Sequence, residues 1–71
     1  MYIDHEVKVT GHIPKLVQNL IDEIEKLDTA ETWLDYENKY EELYIMAKAF
    51  KINDKMSKDQ LNKIEERYGA W

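Results

Sequence analysis

Ile13-Pro14-Lys15-Leu16-Val17-Gln18-Asn19-Leu20-Ile21-Asp22-Glu23-Ile24-Glu25-Lys26-Leu27 is the stretch on which the fold turns. Its apolar residues Ile13, Leu16, Val17, Leu20, Ile21, Ile24 and Leu27 recur at a three-four spacing that lays one continuous stripe along a helix. Pro14 suits the first turn, where its missing N–H would have had no partner. The other face carries Lys15, Gln18, Asn19, Asp22, Glu23, Glu25 and Lys26. A helix over residues 14–27 therefore has one apolar side to bury against something else.

Asp28, followed three residues later by Glu31, matches a capping box that opens a second helix, with Thr29 as an alternative cap. That helix is predicted over residues 29–51, on the order of 30 Å long, which makes it the axis of the fold. With only a residue or two between them, the first two helices are expected to form an antiparallel hairpin. Trp33, Tyr36, Tyr40, Leu43, Tyr44, Ala47 and Phe50 form the main stripe of the second helix; Leu34, Ile45, Ala49 and Ile52 form another. Two stripes need two covers. The first helix supplies one, and either a third helix or another subunit supplies the other, which makes Leu34, Ile45, Ala49 and Ile52 the expected oligomer interface.

Asn53-Asp54-Lys55 makes the next turn, and a third helix is predicted over residues 57–68. Ser57 and Gln60 complete a capping box, Met56 and Leu61 a hydrophobic staple, and Leu61, Ile64 and Tyr68 a short apolar stripe. Gly69 is placed to end this helix in a left-handed conformation. Trp71 at the end of the chain either folds back onto the helices or faces a partner.

At the other end, residues 2–10 alternate, with Ile3, His5, Val7 and Val9 on one side and Tyr2, Asp4, Glu6, Lys8 and Thr10 on the other. That is a strand period. A lone strand in a helical chain has three outlets: an extended arm, irregular chain packed on the helices, or pairing with another molecule's edge. The expected architecture is thus all-α: one domain over residues 1–71, a small three-helix unit built on a helical hairpin with an N-terminal extended arm or strand over residues 1–12. A single core of this size supplies only roughly 3 to 5 kcal/mol, so a homodimer or larger assembly is expected to help.

The chain has no cysteine, which excludes disulfides, thiolate catalysis and Cys-containing zinc sites. No apolar run reaches the roughly 20 residues needed to span a bilayer, and the first residues lack the pattern of a signal peptide, so a soluble cytoplasmic protein is expected. His5 and His12 are not spaced as a metal pair, Ser57 is accounted for as a cap, and Gly11 and Gly69 are too isolated for a phosphate loop. The carboxylates lie on solvent faces among like charges, without the burial that general acid–base work requires. The expectation is no enzyme, no metal and no cofactor.

Charge carries more information. Between Asp22 and Glu42 the chain has nine carboxylates against Lys26 and Lys39, whereas residues 1–21 are neutral and residues 43–71 are slightly basic. A field concentrated in this way steers encounter with a basic partner and repels nucleic acid. Asp22, Glu23, Glu25, Asp35, Glu37, Glu41 and Glu42 would supply the field, and Tyr36 and Tyr40 would serve as aromatic anchors for a basic groove. The same tyrosines also read as helix core. A direct DNA-binding reading rests on Lys48, Lys51, Lys55, Lys58, Lys63 and Arg67, which fall within a helix-turn-helix-like span, and is opposed by a pI near 4.9.

The stretch Asn53-Asp-Lys-Met-Ser-Lys-Asp-Gln-Leu-Asn-Lys-Ile-Glu-Glu-Arg-Tyr-Gly69 resembles the short terminal helix of small phage and prophage proteins of low-GC Gram-positive bacteria. The resemblance covers about a quarter of the chain and carries cap, staple and helix stop, with no catalytic residue. In composition, small size with acidity is likewise similar to phage accessory proteins, including inhibitors of host defence, and that likeness implies a protein acting in the host cytoplasm. The leading expectation is a non-enzymatic acidic interaction module that binds a basic surface of a nucleic-acid-handling protein. The alternatives are a homo-oligomeric assembly protein and a small DNA-binding regulator.

Overall fold

The computed structural model describes residues 2–69, so the expectation about Trp71 lies outside the described residues. Among them the chain forms α1 (Lys15–Glu25), α2 (Trp33–Ile52) and α3 (Lys58–Tyr68), with a single 3₁₀ turn at Ala30–Thr32 between the first two helices. The fold is all-α, and its three helices are those expected. α2 lies between the others: α1 packs on one side of it and α3 on another. Its 20 residues rise roughly 30 Å, most of the molecule's longest dimension of 36 Å.

α1 buries Val17, Leu20, Ile21 and Ile24, with Ile13 and Leu27 half-buried at its ends. Leu16, about 100° round the helix from Val17, falls off this stripe and is exposed. α2 answers with Tyr36, Leu43 and Ala47, and α3 with Leu61, Ile64 and Tyr68. Fully burying an aliphatic side chain is worth about 1.5 to 3 kcal/mol, against about 0 to 1 for an exposed ion pair, so these residues dominate the stability.

The junction between α1 and α2 departs from expectation. α1 stops at Glu25 and α2 begins at Trp33, so a longer connection replaces the predicted one or two residues. The reason is that Asp28 does not cap a helix: its Oδ1 accepts the backbone N–H of Tyr2. Thr32 turns back as well, its hydroxyl donating to the Leu27 carbonyl at 2.7 Å and lying 2.8 Å from the Thr29 hydroxyl. A capping side chain spent on a distant segment leaves the local helix to start later. α1 and α2 still pack together as a hairpin, with Lys39 Nζ 3.0 Å from Glu23 Oε2 between them.

α3 starts as its sequence predicts. Ser57 Oγ accepts the Gln60 N–H at 3.0 Å, Gln60 Oε1 accepts the Ser57 N–H at 2.9 Å, and Met56 and Leu61 are both buried. Its end differs: Gly69 has φ −108°, an ordinary conformation. What requires glycine here is space, because a Cβ would stand 2.5 Å from the Tyr40 hydroxyl and 2.6 Å from Cζ of the same ring.

No strand forms among the described residues. The N-terminal segment is instead irregular chain packed on the helices, the second of its three outlets. A turn stabilised by Asp4 breaks the alternation, with the Asp4 side chain accepting the Glu6 N–H at 3.1 Å and its carbonyl the Val7 N–H at 3.2 Å, and this leaves His5 exposed. Ile3 enters the core. The backbone that a sheet would have satisfied is taken up by α3: the Asp4 N–H donates to the Arg67 carbonyl at 2.8 Å, and Arg67 Nη1 donates to the Val7 carbonyl at 2.8 Å. Further along, Gln60 Nε2 donates to the carbonyls of Thr10 and His12 at 3.0 and 2.8 Å. Gly11, between those carbonyls, has φ +86°, a conformation that glycine adopts at no steric cost. Among the described residues no helix is long and apolar enough to cross a membrane.

Candidate partner-binding surface

The acidic belt is contiguous in sequence but divided in space. On α2, Asp35 and Glu42 are seven residues apart and share one side, while Glu37 and Glu41 are four apart and share another, roughly 100° or more round the helix. The first side faces α1. There Lys39 Nζ lies 3.0 Å from Glu23 Oε2 and 3.3 Å from Glu42 Oε2, and those hydrogen bonds hold its ammonium above the ordinary pKa. Asp22 accepts Gln18 Nε2 at 2.9 Å. Glu25 turns toward α3, accepting the Tyr68 hydroxyl at 2.6 Å and pairing with Arg67 at 3.4 Å. Much of the expected field on α1 is thus engaged within the fold.

The second side is different. Among the described residues Glu37 and Glu41 form no ion pair. They share this side with Trp33, Tyr40 and Tyr44. Trp33, expected in the core, is 56% exposed. Tyr40 and Tyr44 are half-buried, their ring centroids 6.1 Å apart. Burial pushes the Tyr40 phenol up to about 12, with the Glu65 carboxylate adding to the shift.

Tyr36 is not an exposed anchor: it is buried, and its hydroxyl donates to the Tyr68 carbonyl at 2.8 Å, which joins α2 to α3. It also lies at the base of a small open pocket lined by Tyr2, Trp33 and Glu37. Tyr2 could not be assigned to this site from sequence, since its arrival depends on the path of the arm. The spacing of Trp33, Tyr36 and Glu37, three and four residues apart, was the available signal for the rest.

Leu34, Ile45, Ala49 and Ile52 all remain on the surface, Ile45 and Ile52 at 68% and 67% exposure. Leu34, Ile45 and Ile52 lie roughly 160° to 180° round α2 from Tyr36, opposite the core, so neither α1 nor α3 covers them. Among the basic residues, Arg67 is engaged with the Val7 carbonyl and Glu25, and Lys63 lies 3.5 Å from Glu66. His5 lies 3.7 Å from Asp28, and no group of His, Asp or Glu suited to a metal ion occurs among the described residues. Comparison of the chain with family models, with curated proteins and with solved structures gives no match.

Proposed function

We propose that the chain is a non-enzymatic interaction module whose Glu37–Glu41 face binds a basic surface on another protein. The observation that carries this reading is the pair of carboxylates that form no ion pair among the described residues, beside an exposed tryptophan. Elsewhere the belt is neutralised in part from within; here the charge stays available, with an aromatic ring to supply contact area. The partner is a nucleic-acid-handling protein whose phosphate-binding surface the acidic face occupies, and the setting is the host cytoplasm, with the module acting as a phage-borne inhibitor of host defence. Duplex DNA is a poorer ligand, because Arg67 is spent inside the fold and the overall charge is −5.

The test is capture from host lysate with the wild-type chain and with a Glu37→Lys/Glu41→Lys variant, in rising salt. The wild type should retain a nucleic-acid-handling protein that salt or added duplex DNA releases, and the variant should retain none. Equal retention by both chains would overturn the reading.

A second reading, self-association, is favoured by the uncovered stripe of Leu34, Ile45, Ala49 and Ile52. Its occupant is another copy of α2 running antiparallel, because the first half of α2 carries Asp35, Glu37, Glu41 and Glu42 and the second half Lys48 and Lys51, so opposed halves attract. Light scattering should then find a dimer that Ile45→Asp converts to monomer; a wild-type monomer at all concentrations would exclude it.

A further inference from the structure

We propose that the pocket between Tyr2, Trp33, Tyr36 and Glu37 is a receptor for one arginine side chain, the anchor by which a basic partner is held. The inference deepens the reading of the Glu37–Glu41 face as a protein-binding surface and rests on it. The pocket, open on one side, has a volume of about 110 Å³, well below the roughly 300 to 1,000 Å³ of sites that take a whole small molecule. Its size is that of a side-chain head group.

Three of its four walls are aromatic. Tyr2 and Tyr36 stand 5.0 Å apart between centroids, tilted at 47°, and form one continuous corner. Both are fixed from outside the pocket: Tyr36 by its hydroxyl bond to the Tyr68 carbonyl, Tyr2 by its backbone N–H on Asp28. Trp33 supplies the open side, and an indole face attracts cations better than any other side chain. Little ordering is left to be done on binding, which favours affinity in a site this small.

The fourth wall sets the sign of the ligand. Glu37 lies one helical turn after Trp33, so its carboxylate is beside the rings. Among the described residues Glu37 is the one charged residue lining the pocket, whereas Asp35 lies on the other side of α2 and Asp28 is engaged by the Tyr2 N–H and by His5. The full charge of Glu37 outweighs the partial positive charge of the first turn of α2. An aromatic corner with one carboxylate matches a guanidinium, which is planar, weakly hydrated, able to stack on rings and able to pair a carboxylate through two N–H groups. A lysine ammonium is more strongly hydrated and has no plane to stack.

The probe is N-acetyl-arginine amide, titrated into the full chain while the Trp33 indole signal is followed by NMR, that signal being assigned by its loss in Trp33→Phe. N-acetyl-citrulline amide, the neutral isostere, and N-acetyl-lysine amide serve as comparisons. A saturable Trp33 shift is expected with arginine, about fivefold or more weaker with citrulline and with lysine, and weakened to a similar extent by Glu37→Gln. The variant's circular dichroism should match the wild type, because Glu37 forms no ion pair within the described fold. Equal response to arginine and citrulline would overturn the pocket as a cation site. Arginine shifts confined to the Glu41 region, with Trp33 unmoved, would also overturn it while leaving the acidic-face reading standing. No shift anywhere, combined with loss of salt-dependent capture, would remove both.

Discussion

Single residues in this chain hold positions that their own neighbourhood in sequence does not explain. Gly69 looks like a helix terminator, yet its φ is negative and its hydrogen atom is what lets the Tyr40 ring close over the end of α3. Gly69→Ala should therefore destabilise by about 1 to 3 kcal/mol, the range for overpacking a site whose neighbours cannot retreat. Urea unfolding would measure this, and if the clash is the cause, adding Tyr40→Ala should remove most of the further penalty from the alanine. A gain in stability on Gly69→Ala alone would show that Tyr40 moves aside. Tyr36 makes the same point in reverse. Its place in an apolar stripe and its place next to carboxylates supported two readings in sequence, and only the Tyr68 carbonyl at 2.8 Å from its hydroxyl decides for the core.

At the scale of elements, α3 is both helix and clamp. Gln60 accepts the Ser57 N–H through Oε1, as any capping box requires, but it also donates through Nε2 to the carbonyls of Thr10 and His12. A capping box accepts Glu as readily as Gln, so sequence rules alone give Gln60→Glu no consequence. The structure gives it one. A carboxylate keeps the cap and cannot donate to the two exposed carbonyls, so the arm should loosen at a cost of about 0.5 to 1.5 kcal/mol, the net worth of a hydrogen bond whose partner water can replace. Amide hydrogen exchange should speed up over residues 2–12 while α3 retains its protection; unchanged exchange in the arm would show that Arg67 alone suffices to hold it. The elements best legible in sequence were those specified within one or two turns: the stripe of α1, and the cap and staple of α3. The start of α2 was misplaced by about four residues because Asp28 and Thr32 form their bonds elsewhere.

For the molecule as a whole, phenols join the helices to one another, Tyr36 linking α2 to α3 and Tyr68 linking α3 to α1, and make stability depend on alkaline pH. Burial raises the phenols of Tyr36 and Tyr68 above the ordinary value, and raises Tyr40 from 10.0 to about 12. The folded state therefore holds these protons more tightly than the unfolded chain, whose phenols ionise near 10. Stability should be complete below pH 10 and fall as pH rises through about 12, with the fold lost as the buried phenols ionise. Absorbance of tyrosinate and helical circular dichroism, followed together, should change in a shared transition. Ionisation of every tyrosine with the helices intact would contradict the packing described for Tyr36 and Tyr68.

Sequence by itself determined the all-α class, the three helices and the concentration of negative charge between Asp22 and Glu42, because helix periodicity, capping and local charge depend on residues a few positions apart. Tertiary structure alone decided that the arm lies along α3, that Asp28 serves the arm, and that the belt divides into one side partly neutralised by Lys39 and one that keeps Glu37 and Glu41 beside an aromatic pocket. Those outcomes depend on which faces of α2 meet α1, α3 and Tyr2. Such contacts join residues far apart in the chain, through packing that no local spacing encodes.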